Sequence, residues 1–254
     1  MASPVLAPAP RECCTRTVQH TGTATGSFEV LANVNTYLAR SPSNDGQDKH
    51  SRIIFFFPDV FGPLYINNQL LIDYFASNGY LVVAPDYFEG DIFDQIRSQP
   101  GFDLFDWATK KLTRGKEIIP GWIKAIKAKY GTEATKYAAV GYCFGAPFTL
   151  EAAATDLVVA AAIAHPSFLN EDHFKNVKKP LFLSCAEVDQ QFPLESRHRA
   201  ETILAENKAV YHFQLFGGVS HGFAVKGDPD VPNEKFAKEE SARSIIRWFD
   251  RFSK

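Results

Sequence analysis

Short runs of apolar residues alternate along most of this chain with segments in which apolar residues recur every three or four positions. Arg52–Phe57 (RIIFFF) and Tyr80–Ala84 (YLVVA) are runs of the first kind. They are short and rich in β-branched and aromatic residues, so each reads as a strand buried on both faces. Tyr137–Val140, Val158–Ala164, Pro180–Cys185 and Val210–Leu215 read likewise. Helical spacing marks Asn67–Asn78, ending at Gly79, and Lys116–Tyr130, ending at Gly131. Glycine suits the position after a helix because it takes the left-handed conformation without a Cβ penalty. A further helix begins near Ala146, another covers Leu194–Asn207, and an amphipathic helix over Asn233–Phe252 closes the chain. Ahead of this series, Ser27–Leu31 and Val34–Leu38 flank turn residues at Asn33 and read as an antiparallel strand pair. The polar stretch Ser41–His50 reads as a surface loop. Residues 1–10 read as a disordered tail, and residues 11–254 as one domain.

Strands alternating with helices of this size predict an α/β fold: a mostly parallel central sheet, helices on both faces, and an antiparallel N-terminal strand pair. In such sheets ligands bind outside the carboxyl ends of the strands. The residues that follow each strand therefore matter most: Asp59-Val60-Phe61, Asp86-Tyr87, Tyr142-Cys143-Phe144, His165-Pro166, Asp189 and His221.

Composition narrows the function classes. The chain has 254 residues, 45% of them hydrophobic and 22% charged, with a formal net charge of −2. That balance gives no electrostatic footprint for nucleic acid or an anionic membrane, so neither is expected as a partner. The four cysteines, Cys13, Cys14, Cys143 and Cys185, do not form a disulfide framework. They fit a reducing compartment. The first ten residues lack a basic region followed by an apolar run, so no secretory signal is read there. A cytoplasmic location is expected, as a monomer or homodimer.

The strongest local signal is the segment KYAAVGYCFGAP. It reads as a strand, then Gly141-Tyr142-Cys143-Phe144-Gly145, then a helix of small residues. This is a nucleophile-elbow pattern with cysteine in the nucleophile position. A sharp strand-to-helix turn needs glycines where side chains would collide with neighbouring backbone. It also aims the N-terminus of the following helix, with its partial positive charge, at the reacting atom. The structural alternative is a buried cysteine beside helix-packing glycines.

A thiol with an ordinary pKa of about 8.5 needs a base at neutral pH. Of seven histidines, His221 lies in a glycine-rich loop after the last strand and before the last helix. That matches the chain order nucleophile, acid, histidine that accompanies such elbows. His20, His50, His173 and His198 lie in polar stretches and His212 within a strand. His165 reads as a hydrogen-bonded core or rim residue. The acid is expected after the strand between Cys143 and His221, where Asp189 is the first choice and Glu187 its competitor. Either would fix the imidazole tautomer and stabilise imidazolium. A turn aspartate is the ordinary use of such a residue.

Together these stretches resemble the dienelactone hydrolase family of α/β-hydrolases. Phe57-Pro58-Asp59-Val60-Phe61-Gly62, Ala84-Pro85-Asp86, the Cys143 elbow, the Asp189 loop and Ser220-His221-Gly222-Phe223 run in family order from about residue 28 to the C-terminus. The resemblance implies the α/β-hydrolase fold and a triad of Cys143, Asp189 and His221. It also implies an oxyanion hole from the backbone N–H groups of Val60 and Phe144, and an acyl-thioester intermediate in cleavage of a small ester or lactone. It assigns Asp59 the place of a glutamate that bacterial members hold close to the thiol; here the side chain is one methylene shorter, and its ordinary reading is a turn cap. The arginines that bacterial members use to hold a substrate carboxylate have no counterpart after Asp86 or His221, where Lys226 is the nearest cation. Tyr87, Phe88, Tyr142, Phe223 and Lys226 are candidate substrate-pocket residues, with core packing the alternative for each aromatic.

No dinucleotide fingerprint, phosphate-binding loop or zinc motif is present in the sequence. No metal or cofactor is expected. Two other functions fit the same residues: a non-catalytic scaffold that binds a small molecule beside a redox-sensitive thiol, and a thiol acyltransferase.

Overall fold

A computed structural model describes residues 2–15, 17–42, 46 and 48–254. Val5–Ala7 forms a first strand, β1, and Glu12–Thr15 a single helical turn, α1. The expected hairpin follows as β2 (Ser27–Leu31) and β3 (Val34–Ala39), antiparallel with Ser27 opposite Leu38. Its turn residues Ala32 and Asn33 both have positive φ, of 49° and 64°, which is the twist a tight hairpin requires. Of the expected loop at 41–50, Ser43, Asn44, Asp45 and Gln47 lie outside the described residues.

The alternating series then runs β4 (Arg52–Phe57), α2 (Ile66–Ser77), β5 (Leu81–Pro85), α3 (Phe93–Ile96), α4 (Leu104–Tyr130) and β6 (Lys136–Tyr142). It continues with α5 (Ala146–Ala153), β7 (Ala160–Ala164), β8 (Leu169–Asn170), α6 (Glu171–Lys175), β9 (Leu181–Val188) and α7 (Leu194–Glu206). β10 (Tyr211–Ser220), α8 (Phe223–Lys226) and α9 (Pro232–Phe252) complete it. An eight-stranded sheet has the order β10-β9-β7-β6-β4-β5-β3-β2. Strands β5, β4, β6, β7, β9 and β10 pair in parallel, and β2 and β3 join antiparallel at one edge. The α/β architecture expected from the alternation is therefore the one observed.

The apolar runs are buried on both sides. In β4, Ile54 and Phe56 face a core with α2 and α9, whereas Ile53, Phe55 and Phe57 face a core with α4. A third core holds α5, α7, β7 and β9 together. This two-sided burial explains why these strands read as continuous rather than alternating.

Two elements are longer than the sequence pattern predicts. α4 starts at Leu104 rather than near Lys116, because the Asp103 carboxylate accepts from the Asp106 N–H at 2.9 Å and caps it. β10 continues past Leu215 through a register shift between Phe216 and Ser220, where Gly218 has φ 72°.

The N-terminus is the main correction. The expected disordered tail over residues 1–10 contains β1, which pairs antiparallel with β8, and Leu6 and Ala7 are buried against the third core. Phe168 N donates to Pro8 O and Glu171 N to Pro4 O, both at 2.9 Å. Further on, Arg97 donates to Thr15 O at 2.6 Å, and the His20 N–H to Asn67 Oδ1 at 2.8 Å. The segment thus straps across the carboxyl end of the sheet. Among the described residues, no helix is long and apolar enough to cross a membrane.

Candidate active site

The central strand β6 ends at Tyr142, and Cys143 opens a tight turn that leads directly into α5. Cys143 has φ 47°, a left-handed conformation that costs a non-glycine residue about 1–3 kcal/mol and is held only by its surroundings. The glycines enforce it. A Cβ on Gly145 would run into the backbone carbonyl of Phe57, and one on Gly141 into the Thr149 side chain and the Gly145 backbone. Cys143 O accepts from Ser167 N at 3.0 Å, and its Sγ lies 3.6 Å from Ser167 Oγ. Phe144 lies in the short turn Cys143–Gly145 that leads into the N-terminus of α5.

Asp189 follows β9 and is fixed by local backbone. Its Oδ1 accepts from Gln191 N at 2.8 Å and Phe192 N at 3.0 Å. The same carboxylate holds His221 Nδ1, at 3.0 Å from Oδ1 and 3.1 Å from Oδ2. The competitor Glu187 is exposed and accepts from Gly218 N at 2.7 Å instead. His221 is held from its backbone as well, donating to Val188 O at 3.2 Å. Burial disfavours the charged ring, but the neighbouring Cys14 sulfur and the Asp189 carboxylate outweigh it, so the His221 pKa is pushed up to about 10. Part of that rise comes from Cys14, so Nε2 is free to accept a proton only when Cys14 withdraws from it.

The other face of His221 meets a residue that the sequence reading left out. Cys14 Sγ, on α1, lies 3.3 Å from His221 Nε2. Cys14, Cys143 and His221 are all buried, and their ligand atoms lie within 4.8 Å of one another. Cys14 therefore sits beside both the elbow thiol and the ring that was expected to serve it. Its hydrogen bond with Cys13 lowers its pKa, but the bond with Cys143 and burial outweigh this and raise it. α1 is anchored from several sides: Cys14 N donates to Arg11 O at 2.8 Å and Lys226 Nζ to Cys13 O at 2.5 Å. The Gln191 amide, in the orientation its neighbours require, donates to Pro8 O and Ala9 O and accepts from Arg11 N.

Asp59 is fully buried at the end of β4. Its Oδ1 accepts from Phe61 N at 3.1 Å and from Asn68 Nδ2 at 2.9 Å, so it caps the turn that carries Val60. Burial raises its pKa, against those two hydrogen bonds. Phe223 and Lys226 line a cavity of about 490 Å³ together with His221, Cys13, Glu12 and Val18. Tyr87, Phe88 and Tyr142 do not line it. Tyr87 and Phe88 pack against Phe144 in the core on the α4 side, and Tyr142 stacks on Phe56 with ring centroids 5.0 Å apart. His165, expected to be hydrogen-bonded, has neither ring nitrogen partnered among the described residues. Its ring stands edge-on to His221 at 5.0 Å, and burial holds its pKa well below the usual value. It therefore forms a neutral wall behind the reactive histidine.

The chain is similar to known proteins along nearly its whole length. Residues 34–253 match the model of the dienelactone hydrolase family. The chain is 38% identical over 253 residues to Dienlactone hydrolase 1 of Gibberella moniliformis, spanning 97% of this chain and 95% of that protein. It is 32% identical to Hydrolase pyvD of Aspergillus violaceofuscus, spanning 96% and 98%. Among solved structures, a dienelactone hydrolase-like promiscuous phosphotriesterase from metagenomic libraries superposes with a TM-score of 0.68 at 17% identity, covering 91% of this chain and 99% of that one.

Proposed function

The chain belongs to the dienelactone hydrolase family and is a hydrolase of carboxylic esters or lactones; from that premise we propose that Cys143 is its nucleophile, His221 its base and Asp189 the acid that orients the base. The observation that carries this reading is the elbow. A buried thiol sits at φ 47° at the carboxyl end of the central strand, on a turn that admits only glycine at positions 141 and 145.

The reaction runs in two halves. Cys14 moves off His221 Nε2, which takes the Cys143 proton. The thiolate attacks the carbonyl carbon, and the resulting oxyanion is held by the N–H groups of Val60 and Phe144. Asp59 supports this by fixing the Val60 turn. The carbon–oxygen bond to the alcohol breaks, and the departing oxygen receives the proton from His221. Water then gives a proton to His221 and attacks the thioester carbonyl, releasing the acid and restoring the Cys143 thiol. A ring-opened lactone leaves as a single hydroxy acid. The cavity beside His221 sets Phe223 and Val18 next to Lys226, Glu12, Glu234 and Gln190, which suits a small ester that joins an apolar part to a polar one.

A second reading has one observation in its favour. Cys14, His221 and Asp189 already make a contiguous cysteine–histidine–aspartate series, with Sγ 3.3 Å from Nε2. Cys14, however, lies in a four-residue helix outside the elbow, and among the described residues no helix begins directly after it to hold an oxyanion. Alanine variants separate the two. Cys143→Ala lowers kcat/KM on aryl esters and lactones about a thousandfold or more, while Cys14→Ala retains turnover. The reverse result assigns the chemistry to Cys14.

Four free thiols and a near-neutral surface support a reducing, cytoplasmic setting. The three contiguous cores of the sheet support folding of residues 11–254 as one unit, with β1 added across it.

A further inference from the structure

Cys14 carries neither the proton nor the acyl group in the hydrolytic steps above and has only to withdraw from the base, yet it is buried, anchored by backbone contacts, and placed against two reactive groups. Two thiols and an imidazole converge there, all buried, with ligand atoms within 4.8 Å of one another. Soft sulfur with imidazole is the donor set of zinc sites. With metal–sulfur bonds of about 2.3 Å and metal–nitrogen bonds of about 2.0–2.1 Å, tetrahedral coordination separates donor atoms by about 3.5–3.8 Å. The Cys14 Sγ to His221 Nε2 separation of 3.3 Å is within a few tenths of an ångström of that spacing. The ring is also prepared in the way metal-binding histidines are. Its Nδ1 is held by a carboxylate, Asp189, at 3.0 Å, so Nε2 is the nitrogen turned to the sulfurs. The cavity that Cys13 and His221 line adjoins the cluster at the His221 ring.

We infer that Cys14, Cys143 and His221 form a three-ligand site for a soft divalent cation of the zinc class, and that its occupation silences the nucleophile. Binding replaces the two thiol protons, which pass to solvent, with two sulfur–metal bonds. His221 binds as the neutral ring, and no oxidant or reductant takes part. Affinity therefore rises with pH as the thiols and His221 give up their protons. The silencing rests on the reading of Cys143 as nucleophile; the coordination does not.

The test uses the full chain, thiol-reduced and stripped of metal, titrated with Co(II). A one-to-one complex with a sulfur-to-cobalt charge-transfer band and strong tetrahedral visible bands is expected, and Zn(II) should displace it. Cys14→Ser and Cys14→Ala should each weaken binding at least a hundredfold, while Cys185→Ser, which removes a buried thiol outside the cluster, leaves it unchanged. Circular dichroism of each variant confirms folding before titration. Zn(II) should inhibit ester cleavage by the wild type reversibly with chelator. It should inhibit Cys14→Ser only at correspondingly higher concentration. Absence of the charge-transfer band with all thiols shown free, or a band that survives in both Cys14 variants, overturns the inference. Because the spectrum needs no turnover, this result stands apart from whether Cys143→Ala is inactive.

Discussion

The two faces of the His221 ring are built differently. On the Nδ1 side, everything is local to the ends of β9 and β10: Asp189 is pinned by the N–H groups of Gln191 and Phe192 and meets the ring at 3.0 Å. On the Nε2 side, the ring meets Cys14, 207 residues away in sequence, in place of the elbow thiol. The first side is a rigid, preformed half of a catalytic device. The second depends on where a strap from the other end of the chain lies. The orientation of the base is thus fixed by the sheet, whereas access of the base to Cys143 is set by the N-terminal segment.

Substitutions can separate the halves, and the largest effect is expected on the rigid side. Asp189→Asn keeps an oxygen for the two backbone donors but loses the charge that holds the tautomer. kcat/KM should fall about a hundredfold to ten-thousandfold, measured on an aryl ester, with little change in melting temperature. Gly145→Ala should cost about 2–3 kcal/mol or more in denaturant unfolding, because the Phe57 carbonyl occupies the place of the new methyl. On the strap side, Leu6→Ala removes a buried side chain from the third core and should cost about 2 kcal/mol.

pH tests the electrostatics. The folded His221 pKa of about 10 lies above its ordinary 6.5. Its contribution to stability is therefore fully present below about pH 6.5 and is lost as pH rises through about 10. Denaturant titrations at pH 6, 8 and 10 should show that loss in the wild type and not in His221→Gln. The smallest effect belongs to Asp59. Burial raises its pKa, so the folded state favours the neutral carboxyl, and stability falls as pH rises through that value. Asp59→Asn retains an acceptor for Phe61 and Asn68 and should unfold at the same or a higher temperature at pH 8.

Much of the rigid half could be read from sequence. The apolar runs mark the strands, and strand ends mark the positions of Cys143, Asp189 and His221. Gly141 and Gly145 carry a steric requirement that the structure makes visible. The Ala32-Asn33 turn is equally local. Cys14 could not be read in this way, because a four-residue helix has no periodicity and its partners lie 129 residues (Cys143) and 207 residues (His221) further along. The adjacent pair Cys13-Cys14 within an otherwise proline- and alanine-rich start was the available signal. The aromatics were hard to sort for another reason. Tyr87, Phe88 and Tyr142 are as apolar as Phe223, and only the packing of Phe144 and Phe56 against them distinguishes core from cavity wall.

The central claim is that the acyl group is carried by Cys143 although Cys14 is the thiol touching the base. Acid-quenching the enzyme during turnover of a slowly hydrolysed ester, then mapping the acylated peptide by mass spectrometry, tests this directly. A thioester on Cys143 is expected, in wild type and in Cys14→Ala alike; acyl label on Cys14 in the wild type, or loss of the label in Cys14→Ala, would contradict the role of Cys143 as nucleophile.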